Sequence, residues 1–283
     1  NASVESLSGD TIQTQSEAIA ITTGLPNQYS FSLASDVKNV EGLNRDGEEV
    51  NFTARLADTF GNPVPDNTVV NFTTEGGQIE SNCLTVNGAC SVLWTSANPR
   101  VNDGIITILA TAIGHETLFD SNGNNVYDID DGEAIDDTSD AGLFVAHPTG
   151  TQGFIDVSEA WRDDNDNNQS FDLADGLFNG LQCTHPSLCG QNEAATMHVR
   201  KSNRIIMSGS NAIITIQSDG TTLASNAPEP DATPITAIAR NQKQEFSVLI
   251  ADINGNIMPA NTSISVTSSG GELEVLTGES VQN

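Results

Sequence analysis

The chain has 283 residues, 38 acidic and 10 basic, and a formal net charge of −28. A hydrophobic share of 37% against 17% charged excludes a polyelectrolyte coil, because that much apolar surface offsets the entropy of ordering. The acidity argues against nucleic acid and anionic membrane surfaces as partners, and no apolar run reaches the ~18 residues of a membrane-spanning helix, so no membrane insertion is expected in this segment.

The length predicts about two domains. The start at Asn1, without Met, suggests a processed product or an excerpt, and residues 1–25 are expected to be closing strands of a preceding repeat. In residues 26–115 the signal is β. VNFTARLA (50–57) and TVVNFTT (68–74) alternate with period two and are rich in β-branched residues. FGNPVPDN between them is a turn, since its prolines forbid helix. CSVLWTS (90–96) and ITILATA (106–112) read as two further strands flanking the turn cluster ANPRVNDG (97–104), and Asn87-Gly88 reads as a hairpin turn.

Four cysteines form two close pairs, Cys83 with Cys90 and Cys183 with Cys189. Gly- or Pro-containing spacers bring each pair together, predicting two local disulfides and an oxidising compartment. The alternative is zinc on Cys183, His185 and Cys189, with His147 or His198 as fourth ligand.

Residues 52–79 (FTARLADTFGNPVPDNTVVNFTTEGGQI) align without a gap to residues 246–273 (FSVLIADINGNIMPANTSISVTSSGGEL), with 11 of 28 positions identical. The offset of 194 also relates SEAI (16–19) to SNAI (210–213). So long a period means an array of domains and not a solenoid. The Asp-x-x-Gly-Asn turn beginning at Asp58, the Gly76-Gly77 bend, the Asn-Gly hairpin and the closing Thr/Ala-rich strand resemble the bacterial group 1 immunoglobulin-like repeat of invasin- and intimin-type surface proteins. The resemblance covers residues 26–115 well and 219–283 in part. It implies an all-β chain of immunoglobulin-like sandwiches in an extracellular or cell-surface, outer-membrane-associated rod, often adhesive, with neighbouring repeats of the same or identical chains as partners.

Residues 116–176 hold 16 acids and one base, Arg162. Counting from Asp120, oxygen side chains stand at positions 1, 3, 5, 9 and 12 (Asp120, Asn122, Asn124, Asp128, Asp131); counting from Asp164 they stand at 1, 3, 5, 7, 9 and 12, among them Asp164, Asp166, Asn168, Asp172 and Asp175. A curled loop with alternate oxygens suits calcium, which takes six to eight of them. The segments resemble EF-hand or dockerin-type calcium loops, with Asn125 or Gln169 in place of the sixth-position Gly and Asp in place of the twelfth-position Glu. A second register starts at Asp163, through Asn165 and Asn167, and both registers stay open. Asp130 is a further ligand candidate, and Glu116 and Glu159 are expected to reach in from upstream. Calcium is therefore the expected cofactor. Residues 116–218 are assigned to this acidic insertion plus closing strands, with residues 195–216 supplying strands that close the unit, and 219–283 to a partial second sandwich.

No nucleophile elbow, phosphate loop, dinucleotide fingerprint or HExxH motif occurs, and no enzyme is expected. The abundant acids stand at metal-ligand spacing, which disfavours a glycosidase; Lys38, Lys201 and Lys243 show no spacing that favours isopeptide bonds. The function expected is a calcium-stiffened stalk or fibre, adhesive in some contexts. Alternatives are a calcium-dependent module for a host or surface glycan or protein, and a subunit of a head-to-tail polymer built by strand addition. Tyr127, Phe119, Trp161 and Phe171 are expected to pack beneath the loops instead of forming a glycan platform.

Overall fold

The structure is a computed structural model that describes residues 2–5, 11–14, 24–131, 153–160, 170–228, 231–234, 238–240, 242–274 and 280–281. Among these the chain is all β, relieved only by 3-10 turns at Gln28–Ser30 and Asn192–Ala195. An opening hairpin pairs β1 (Ala2–Glu5) with β2 (Thr11–Thr14). There follow β3 (Phe31–Ser35), β4 (Asn39–Val40), β5 (Glu49–Leu56), β6 (Val69–Thr74), β7 (Gln78–Ile79), β8 (Asn82–Leu84), β9 (Ala89–Thr95) and β10 (Ile105–Gly114). The short pair β11 (Thr117–Leu118) and β12 (Phe154–Ile155) precedes β13 (Met197–Met207), β14 (Ile213–Ser218), β15 (Thr221–Ser225) and β16 (Ser247–Ala251).

Two sheets share one core. The first runs β3-β5-β9-β7 and the second β4-β13-β10-β6-β8. Alternation in β5 turns Val50, Phe52, Ala54 and Leu56 inward and Glu49, Asn51 and Arg55 outward, as a pleated strand requires. They meet Val92 and Trp94 from the same sheet and Val70, Phe72, Ile106, Ile108, Val199 and Ile205 from the other. Trp94 is fully buried and its indole N–H donates to the Gly76 carbonyl at 2.8 Å. The Cys83–Cys90 disulfide joins β8 of one sheet to β9 of the other. Asn87 and Gly88, both at positive φ, turn the hairpin between them.

Among the described residues β13 is the longest strand, and it pairs along its length with β10, Gly114 opposite Met197 and Ile105 opposite Ile206. The acidic insertion therefore occupies the connection between two neighbouring strands of one sheet. The chain changes sheets after Met207: β14 pairs with β15 and β16 in a separate three-stranded sheet, order β15-β14-β16. Of residues 195–216, only the first half thus joins the first unit.

The internal repeat recurs as geometry. Asp58 accepts the Phe60 and Asn62 amides on Oδ1, both at 2.9 Å; Asp252 accepts those of Asn254 and Asn256, both at 2.9 Å. The second turn also docks on the end of the first unit, where Ser208 donates to the Ile257 carbonyl at 2.7 Å and the Gly209 amide to Asp252 at 2.8 Å.

Candidate metal-binding loops

The insertion carries its own small core. Leu118, Tyr127, Phe154 and Phe178 are buried together, with Cys183 and Leu188 against them. Tyr127 meets Phe154 and Phe178 with ring centroids at 5.1 Å and stacks on His185 at 5.3 Å. Cys183 and Cys189 form the second disulfide, so both sulfurs proposed above as zinc ligands are taken up in it. Of the aromatics expected to pack, Tyr127 is buried and Phe119 half-buried, whereas Phe171 is 51% exposed; Trp161 lies outside the described residues.

The first loop is held by its own oxygens. Asp120 accepts the amides of Gly123 (2.8 Å), Asn124 (3.1 Å) and Asn125 (2.6 Å). Asn122 and Asn124 turn their side-chain amides to Asp128, at 3.2 and 2.7 Å, while their Oδ1 atoms accept the amides of Asn124 and Val126. Asp128 accepts the Asp130 amide at 2.8 Å, which holds its carboxyl below the usual range. Asp130 itself is exposed, and its carbonyl accepts the Ser121 hydroxyl. Asp131 is fully buried and accepts the amides of Ser121 (3.0 Å) and Asp128 (2.9 Å), closing the loop. Asp120, Asn122, Asn124, Asp128 and Asp131 are thus neighbours through hydrogen bonds.

In the second loop, Asp163, Asp164, Asp166 and Asn168 lie outside the described residues, and only its end can be followed. Asp172 donates its amide to buried Glu159 at 2.8 Å, and Asp175 accepts the Leu177 amide at 2.7 Å. Glu116 behaves as Glu159 does. It is fully buried and accepts the Val157 amide at 2.8 Å and the Asn179 amide at 3.0 Å. Both glutamates clasp backbone from across the insertion. Burial pushes the Glu116 carboxyl up to about 9, against the pull of its two amide donors, and the charges of Asp156 and Asp175 push the same way. Asp156 is raised too, first by burial.

Two oxygens of this neighbourhood escaped the sequence reading. Asp156 Oδ1 and Asn179 Oδ1 are buried without a hydrogen-bond partner, as is Asn125 Oδ1 at the edge of the first loop. Asp156 and Asn179 stand outside the alternating runs, and Asn125 holds the sixth position of the first, between its alternate oxygens. Glu116, residues 156–157 and residues 175–179 meet only through folding, so spacing carries no signal for them.

The donor set of the first loop is all oxygen, which fits a hard cation such as calcium. Among the described residues, however, no three Asp, Glu, His or Cys side chains converge so as to hold a metal ion: the loop carboxylates turn to backbone amides. Comparison with protein-family models, with curated proteins and with solved structures returned no match.

Proposed function

We propose that this chain is a structural module of a secreted or cell-surface repeat protein: an immunoglobulin-like sandwich, stiffened by calcium in its acidic insertion and followed by a second repeat of the same kind. The carrying observation is the insertion itself. A closed loop of Asp120, Asn122, Asn124, Asp128 and Asp131 belongs to the same insertion as buried Glu116, on which half-buried Asp156 and exposed Asp175 act with like charge. A divalent cation supplies the positive charge that offsets such repulsion. The loop side chains bind it by giving up their contacts to backbone amides, and Glu116 and Glu159 brace the insertion by accepting the amides of Val157, Asn179 and Asp172.

Further support comes from the repeated Asp58 and Asp252 turns and the resemblance to invasin- and intimin-type repeats. Both disulfides fit an oxidising compartment. Among the described residues no helix is long and apolar enough to cross a membrane.

Calorimetric titration tests the metal. Saturable calcium binding, weaker for magnesium and lost in an Asp120→Asn, Asp131→Asn double variant, is expected; no saturable heat with calcium contradicts it. A second reading, calcium-dependent glycan binding, has the exposed Phe171, a residue of the second loop's sequence, in its favour. Calcium-dependent retention on a glycan array that Phe171→Ala abolishes would favour it.

A further inference from the structure

Around Glu116 the fold gathers acceptors that lack donors. The carboxylate takes the Val157 amide at 2.8 Å on Oε1 and the Asn179 amide at 3.0 Å on Oε2. The side chains beside those two amides carry oxygen as well. Asp156 precedes Val157; its Oδ2 accepts the Gly176 amide at 2.7 Å, while its Oδ1 is buried without a hydrogen-bond partner. Asn179 is only 1% exposed, and its Oδ1 is likewise buried without a partner. Both oxygens therefore stand within a short side chain's reach of the Glu116 carboxylate.

A buried acceptor without a donor is costly, and two beside a buried carboxylate call for a donor or a cation. Charge decides between them. Asp156 repels Glu116, and Asp175 adds a further like charge that acts on both. A water would satisfy the two oxygens but leave these charges opposed, whereas a divalent cation does both. Each Glu116 oxygen holds one amide and keeps a second lone pair to offer. Calcium suits the set because it accepts irregular arrangements of carboxylate, amide and water oxygens, while magnesium demands near-octahedral geometry. Half-buried Asp156 and exposed Asp175 mark the side from which an ion and its waters enter.

We propose that Glu116, Asp156 and Asn179 form a calcium site at the base of the insertion, separate from the two acidic loops. Two carboxylates and one amide oxygen hold the ion, and waters complete its shell. With so few protein ligands it fills after the first loop, at about 0.1–1 mM calcium. It joins the chain leaving β10, the stretch after β12 and residues 175–179, segments that meet only through folding. It goes beyond calcium in the Asp120–Asp131 loop and does not rest on it.

The test is a thermal-shift titration of the full chain with millimolar calcium in the Asp120→Asn, Asp131→Asn background, which disables the loop. The transition should rise with calcium. Its midpoint concentration should be about tenfold higher with Asp156→Asn and about tenfold lower with Asn179→Asp, since ligand charge sets affinity. Opposite shifts from two nearly isosteric changes cannot come from misfolding. Crystals of the full chain soaked in terbium should show an anomalous peak bounded by the three side chains. No rise with calcium, a rise that both changes leave in place, or a terbium peak confined to the loops overturns the proposal. If the loop reading fails instead, wild type and background titrate alike, and the shifts from positions 156 and 179 still report this site.

Discussion

Trp94 and Gly77 show how closely one residue determines another. The indole fills the core because the bend has no side chain there, and its N–H is satisfied by the Gly76 carbonyl and the Thr74 hydroxyl. Gly77→Ala therefore combines a steric clash with left-handed backbone strain, and is expected to cost about 2 kcal/mol or more. Gly271→Ala meets no neighbour and should cost only the strain, about 1 kcal/mol. Urea unfolding of both variants checks the difference; equal losses would contradict it. Glu116 gives a pH prediction for the metal-free protein. Its folded pKa, about 9, lies above the ordinary carboxylate value of 4.5, so the folded state holds the proton more tightly. The stability it contributes is full below pH 4.5 and is lost as pH rises toward 9. Without calcium, the stability of the wild type relative to Glu116→Gln should fall across this window. A flat difference would show that the two amide donors, and not burial, set its charge. The role of Glu116 as an anchor was illegible beforehand, because its partners at 157 and 179 stand 41 and 63 residues away.

At the scale of elements, the strands were legible where one face is buried. VNFTARLA, TVVNFTT, CSVLWTS and ITILATA coincide with β5, β6, β9 and β10, since alternation is the direct imprint of a half-buried pleat. The pairing of β10 with β13 was harder to see. It spans the whole insertion, and the MHVRKSNRIIM stretch of β13 carries charge at Arg200, Lys201 and Arg204. Those side chains stand where the strand is exposed or half-buried, with Arg200 donating to Ser158 of the insertion at 2.8 Å. That contact ties the insertion to the sheet. The Cys83–Cys90 bond joins the sheets at their other margin, and loop-closure entropy for so short a segment is worth about 2.5 kcal/mol. Replacing both cysteines by serine should lower stability by that order in denaturant unfolding. A loss below about 0.5 kcal/mol would mean that the Asn87-Gly88 turn closes this hairpin alone.

At the scale of the whole molecule, the repeat was legible because turn chemistry survives where side-chain identity does not: Asp58 and Asp252 lock the same turn with different neighbours. The change of sheets between Met207 and Ile213 was not, because both stretches carry the same kind of apolar run and only partner strands distinguish them. The loops were legible as chemistry, through the spacing of their oxygens, but not as geometry. Their carboxylates are spread over backbone amides, a choice made by local hydrogen bonding that spacing does not encode.

The central claim, that calcium in the insertion stiffens the array, is tested most directly by scanning calorimetry of the full chain in chelator and in excess calcium. Calcium about 100-fold above its Kd should raise the transition by roughly 5–10 °C, with little of that gain in the Asp120→Asn, Asp131→Asn variant. Superimposable transitions in chelator and in calcium would contradict it.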